Sequence, residues 1–208
     1  MELLLVLDRS GSIGRSMPTL LSFARDLVGE FEIGPSSTRV GLVQFNHDAD
    51  VLLSLSSSRA AIESALSGGG PAWGMTSISD GVTRAVGLLS AARLGVPVTM
   101  LVLTDGVQTV DGNDDTAIAK AAAVKQDGVS IVAVGFGGAN AQTMRAIASA
   151  PSSDFAFFGA SMDEVRQHFA SDRLCELAAS PKAPPPPPSM PAPPGLPPAP
   201  PNSPTADA

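Results

Sequence analysis

Asp8, Ser10 and Ser12 stand one residue apart, directly behind five consecutive apolar residues, Leu3-Leu4-Leu5-Val6-Leu7. A carboxylate and two hydroxyls offer only hard oxygen donors, the kind that suits Mg²⁺, Mn²⁺ or Ca²⁺. A second acid has the same setting, because the apolar run over residues 98–103 ends in Thr104-Asp105-Gly106. Thr76 opens a helical stretch after a Gly-rich turn, and that helix feeds the second run. If the two apolar segments are neighbouring strands, both carboxylates face one crevice and the Thr76 hydroxyl reaches it too. Adjacent carboxylates repel, and buried charge is costly unless it is paired. Arg9 lies nearby, but no basic residue adjoins Asp105. A divalent cation is the simplest compensation. Held directly by three neutral hydroxyls, it would stay electrophilic and seek a carboxylate from outside. That is binding chemistry with no bond-making step.

Each of these residues has a plainer role when taken alone. Asp, Ser and Thr are favoured helix caps, and a Thr-Asp-Gly segment is an ordinary turn. Only the combination of five points to a metal.

The elements that would position them follow from the hydrophobic pattern. Continuous apolar runs bounded by Gly and Ser read as strands buried on both faces, as in parallel sheets covered by helices. Such strands lie at residues 3–7, 98–103 and 129–134, and residues 39–45, Arg-Val-Gly-Leu-Val-Gln-Phe, read as a further strand. Residues 51–53 return after a short turn at 46–50, so this strand should be antiparallel and at an edge. Residues 155–158, Phe-Ala-Phe-Phe, read as a last short strand. Helical spacing appears in Leu20, Ala24, Leu27, Val28 and Phe31, with Pro18 in the first turn. Further helices are expected over residues 59–66, from Ile78 to Leu89, from an Asp114 cap to Val124, over residues 141–148, and through Met162, Val165, Phe169 and Leu177. Alternating strands and helices imply a mostly parallel, doubly wound sheet with helices on both faces. Open sheets of this kind bind ligands past the carboxyl ends of their strands, where the strand order reverses. Asp8 and Asp105 fall at that place.

Composition narrows the function. The chain has 208 residues, is 44% hydrophobic and has no Tyr, so it can bury a core that must be largely aliphatic. A net charge of −7 argues against a nucleic-acid partner, which calls for clustered Lys and Arg. No apolar run is long enough to span a bilayer. The start of the chain lacks the basic n-region and small-residue cleavage site of a signal peptide, so the chain reads as either intracellular or a piece of a longer secreted protein. Only Pro18, Pro35, Pro71, Pro97 and Pro151 precede residue 181, and the other fourteen of the nineteen prolines follow. This divides the chain into a folded domain at 1–178 and a proline-rich tail or linker at 179–208. The tail reads as an extended spacer, with binding to a proline-recognising domain as the sharper alternative.

Enzyme chemistry is not expected. A phosphatase of the haloacid dehalogenase type needs a second Asp where Ser10 stands. The Gly-x-Ser-x-Gly elbow of a serine hydrolase is absent around Ser12, and Gly135-Phe136-Gly137 lacks the third glycine of a dinucleotide loop. Asp111, Asp114 and Asp115 leave a second cation site open, with a solvated loop and one helix cap as the plainer reading.

Asp8-x-Ser10-x-Ser12, Thr76 and Thr104-Asp105-Gly106 together resemble the metal-ion-dependent adhesion site of the von Willebrand factor type A domain. Residues 33–45 and 132–137 agree, and the resemblance runs from about Glu2 to Leu177, with 33–45 most similar to the extracellular matrix branch (collagen-associated and matrilin-like domains). It implies a Rossmann-like, six-stranded sheet of order 3-2-1-4-5-6. It also implies a cation, Mg²⁺ first and Mn²⁺ or Ca²⁺ next, held directly by Ser10, Ser12 and Thr76 and through water by Asp8 and Asp105. The partner would be a protein offering a Glu or Asp, and the setting extracellular or cell-surface. The alternative is a cytoplasmic scaffold domain of this type, acting in a complex without a metal. Arg9 departs from the family pattern and could shield the site or pair with Asp8. Trp73 and Met75 replace smaller residues before Thr76, so Trp73, Met75 and Arg9 are expected to touch a partner. In the matrix branch a Cys near Cys175 often pairs with one ahead of the first strand, a position this sequence does not include.

Overall fold

The computed structural model describes residues 1–168. Phe169, Cys175, Leu177 and the stretch 179–208 lie outside them, as does the proposed boundary at residue 178.

The run at residues 3–7 is the middle of β1 (Glu2–Asp8), whose seven residues are all buried. It pairs in parallel with β2 (Arg39–Phe45) on one side and β4 (Val98–Thr104) on the other. β3 (Ala49–Ser56) returns antiparallel to β2 and forms an edge. β5 (Ser130–Phe136) and β6 (Ala156–Gly159) extend the sheet beyond β4 in parallel. The order is β3-β2-β1-β4-β5-β6, as expected. A wholly apolar strand is stable at this centre because helices cover both of its faces. Leu3, Leu4, Leu5 and Val6 are 0% exposed, and each such side chain contributes roughly 2 kcal/mol of burial.

α1 (Met17–Gly29) packs beside α2 (Arg59–Ser67) and α7 (Met162–His168). α3 (Ile78–Gly87) packs beside α4 (Asp114–Gln126), and α4 beside α5 (Ala141–Ile147). Pro18 falls in the first turn of α1, and Leu20, Phe23, Ala24, Leu27 and Val28 form its buried stripe. Phe31 is buried too, but just past the end of the helix.

α3 begins two residues past Thr76, and its closeness to the sheet depends on Gly81. A Cβ at Gly81 would lie 2.7 Å from Phe45 Cδ1 and 3.0 Å from Val6 Cγ1. The absent side chain lets the helix backbone settle onto β1 and β2.

Two local expectations change. Asn113, in extended backbone, caps α4 by accepting the Asp115 N–H, and Asp114 is the first helical residue. Phe155 ends a one-turn helix, α6 (Ser152–Phe155), rather than starting the strand, which begins at Ala156.

Candidate metal centre at the carboxyl ends of β1 and β4

Leu7 of β1 pairs with Leu103 of β4, so Asp8 and the Thr104–Asp105 corner leave the sheet side by side. This is the point where the strand order reverses. Asp8 is fully buried. Its Oδ1 accepts the Ser10 N–H at 2.7 Å and its Oδ2 accepts the Thr104 hydroxyl at 2.6 Å. The Ser10 and Ser12 hydroxyls lie 2.9 Å apart, and Ser12 Oγ donates to Asp105 Oδ1 at 2.7 Å. One continuous set of oxygens therefore runs from buried Asp8 and Ser10 to exposed Ser12 and half-buried Asp105.

Thr76 closes the set from the other side. A Cβ placed on Gly106 would lie 3.4 Å from Thr76 Oγ1 and 3.7 Å from Ser12 Oγ, so both hydroxyls border the same small space. Gly106 keeps that space open. Its N–H is held by Thr104 Oγ1 at 3.1 Å, which fixes the turn after β4. The Thr76 loop is tied back to β1 by two bonds, Trp73 N–H to Arg9 C=O at 3.0 Å and Gly11 N–H to Gly74 C=O at 2.9 Å.

Both acids of the set are uncomfortable as anions. Burial pushes the Asp8 carboxyl up to about 6, against the opposing hydrogen bonds from Thr104 and Ser10 and with some help from Asp105. Burial also raises Asp105, against the Ser12 hydroxyl. No ion pair among the described residues includes either acid. No group of three or more His, Cys, Asp or Glu side chains able to hold a metal occurs among the described residues. A cation here would depend on hydroxyl and carboxylate oxygens together. That donor set fits a hard divalent ion.

The residues expected to touch a partner neighbour the candidate ligands along the chain, Arg9 between Asp8 and Ser10 and Trp73 and Met75 just before Thr76. Trp73 and Met75 are each 50% exposed, and Val107, just past the Asp105–Gly106 turn, is exposed as well. Trp73 packs edge-on against His47, with ring centroids 4.6 Å apart. His47 thus supports Trp73 and also contacts Asp48 at 3.1 Å. Gly74 makes this fit possible. It has φ +80°, and a Cβ there would come within 2.9 Å of His47 Nδ1. Arg9 does not turn to Asp8; its guanidinium reaches Asp50 of β3 at 3.8 Å. The three acids of the next loop also separate. Asp111 accepts the Ser77 hydroxyl, Asp114 accepts the Gln108 N–H and Thr143 hydroxyl, and Asp115 faces Asn113, so they form no second centre.

Three further residues shape the site. Thr104 anchors Asp8, while Gln108 and Thr109 hold the Thr76 segment. In sequence they show only as polar residues flanking the Asp105–Gly106 turn, and their bonds cross to segments about 30 or more residues away.

Comparison with known proteins places the fold in a family. Mouse vitrin is 32% identical over 164 residues, covering 77% of this chain and 24% of vitrin. Von Willebrand factor A domain-containing protein 1 of Danio rerio is 28% identical over 166 residues, covering 76% of this chain and 32% of that protein. The chain thus spans a third or less of these relatives' length. Proximal thread matrix protein 1 from the mussel byssus, in a structure with a zinc-occupied MIDAS motif, superposes with a TM-score of 0.73 at 28% identity. That match covers 85% of this chain and 45% of that one. Residues 2–171 match the von Willebrand factor type A domain family, and the chain belongs to it.

Proposed function

We propose that this domain is a metal-dependent protein-binding module that takes a Glu or Asp side chain from its partner. One observation carries the reading: two carboxyls raised by burial and three hydroxyls gather in one crevice, and among the described residues neither carboxyl is in an ion pair. Ser10, Ser12 and Thr76 would hold the cation directly, and Asp8 and Asp105 would hold it through water. The bound ion supplies a Lewis-acidic point for an incoming carboxylate. The protein's own part is to orient the hydroxyls and surround the open side. Mg²⁺ is the expected ion for all-oxygen donors, with Mn²⁺ and Ca²⁺ as alternatives. The zinc in the byssus relative makes Zn²⁺ worth including in a titration.

Trp73, Met75 and Val107 give the crevice an apolar rim, the kind of surface that anchors a partner beside a polar centre. Arg9 adds one positive charge on the β3 side. An acidic residue with an apolar neighbour is the partner chemistry this rim suits. The collagen and byssus matrix proteins among the relatives support an extracellular or cell-surface setting and a non-enzymatic role. The domain is taken to end near residue 178, with residues 179–208 as a proline-rich tail or linker.

A peptide array tests this directly. Peptides bearing Glu or Asp, and the same peptides with Gln or Asn, are presented to the full chain in Mg²⁺ or in EDTA. Binding that needs both the carboxylate and the cation, and that Asp105→Ala removes, is the expected result. Binding unchanged in EDTA would favour a metal-independent scaffold.

A further inference from the structure

Thr76 must hold its hydroxyl still to serve the centre, and the bonds that tie the chain leading to it stop at Trp73 and Gly74. Residues 68–70 are all glycine, and Gly74 adopts φ +80°. The N-cap of α3, Ser77, makes no side-chain capping bond, and its hydroxyl instead donates to Asp111 Oδ2 at 3.2 Å. The support comes from across the crevice. Thr109 engages both polar backbone groups of Thr76: its Oγ1 accepts the Thr76 N–H at 2.9 Å, and its own N–H donates to the Thr76 C=O at 2.9 Å. Beside it, Gln108 Oε1 accepts the Ser79 N–H at 3.0 Å. That is the bond an N-cap side chain ordinarily makes, supplied here by another loop. Gln108 Nε2 donates to Ser79 Oγ at 2.7 Å and to Val110 C=O at 2.8 Å, so this buried amide is well satisfied. Asp114, at the start of α4, accepts the Gln108 N–H at 2.9 Å and the Thr143 hydroxyl of α5 at 2.6 Å. The clasp therefore rests on two helices.

We propose that Thr109 is a positioning residue for the cation centre, fixing where the Thr76 hydroxyl stands while Gln108 fixes the start of α3 behind it. This rests on the reading of Thr76 as a ligand. Thr109 acts on the backbone of Thr76 and not on the carboxylates of the centre. Residues that orient a metal's ligands typically change metal affinity about 10–100-fold when lost.

The test uses the full chain and Mn²⁺ alone. Thr109→Val keeps the shape and removes the acceptor, whereas Thr109→Ser keeps the acceptor. Thr109 is exposed, so both variants are expected to fold. Calorimetric titration should show Thr109→Val weakening Mn²⁺ roughly 10–100-fold and Thr109→Ser staying close to the parent. Hydrogen exchange at the Thr76 amide, measured without metal, should accelerate in Thr109→Val and recover in Thr109→Ser. Parental Mn²⁺ affinity in Thr109→Val would overturn the proposal, as would a loss that Thr109→Ser fails to restore. A parent chain that binds no Mn²⁺ would overturn the metal reading itself and with it the purpose given to Thr109. The Thr76 exchange rate would then show whether the clasp exists apart from any metal.

Discussion

Replacing Asp8 by Asn should make the metal-free chain more stable near neutral pH. Asp8 is fully buried, and its carboxyl is raised from 3.8 to about 6. A folded-state value above the unfolded one means that the group contributes stability at low pH and loses it as pH rises through about 6. At pH 7.5 the buried charge therefore costs about 3 kcal/mol, from a shift of about two units at 1.36 kcal/mol each. Asn avoids that charge and keeps the Ser10 N–H bond at its Oδ1. Its Nδ2 can donate to Thr104 Oγ1, which already accepts the Gly106 N–H, so the bond Thr104 now donates is reversed. The largest gain is expected where the hydroxyl finds another acceptor. For a domain of this size 1 kcal/mol moves the melting temperature by about 2–4 °C, so Asp8→Asn should melt roughly 6–12 °C higher in EDTA at pH 7.5. The gap should close as pH falls toward 4. In saturating Mg²⁺ the gap should nearly close, because only the parent gains, by about 2.7 kcal/mol at a hundred times its Kd. Calorimetric melts of both proteins across pH 4–7.5, with EDTA and with Mg²⁺, provide the measurement. A variant that melts at or below the parent at pH 7.5 in EDTA, with a gap that does not change with pH, would refute the reasoning.

Three other substitutions probe the frame and the crevice. Gly81→Ala forces a Cβ to within 2.7 Å of Phe45 Cδ1 and should destabilise the domain by about 1–3 kcal/mol in urea denaturation. Leu5→Ala, at a fully buried position of β1, should cost about 2–5 kcal/mol in the same assay. Gly106→Ala places a methyl group 3.4 Å from Thr76 Oγ1, so it should weaken Mn²⁺ binding while leaving the metal-free melt nearly unchanged.

The legible parts of this chain were those written in local pattern. The apolar runs at 3–7 and 98–103 declare buried strands, and the polar residues that end them declare where a ligand would sit. The order of the strands came from resemblance, since periodicity says nothing about which strand neighbours which. Boundaries slipped where two residue types compete for one role. Asn113 and Asp114 are both good caps, and only the extended backbone at Asn113 separates them. Phe155 looked like strand because it is aromatic and followed by Phe157 and Phe158, yet Pro151 starts a helical turn ahead of it. The supports of the site were illegible for a different reason. Thr109 reaches Thr76 across 33 residues, Thr104 reaches Asp8 across 96, and Arg9 finds Asp50 on a strand 41 positions away. Such bonds depend on the finished fold and leave no local trace.

Direct calorimetric titration of the full chain with Mg²⁺, alongside Thr76→Ala and Asp105→Ala, tests the central claim most plainly. The account predicts one saturable site per chain in the parent, and loss of that site in both variants while their metal-free melts stay near the parent's. A parent that takes up no Mg²⁺, Mn²⁺ or Zn²⁺ at millimolar concentration, or variants that bind as the parent does, would contradict it.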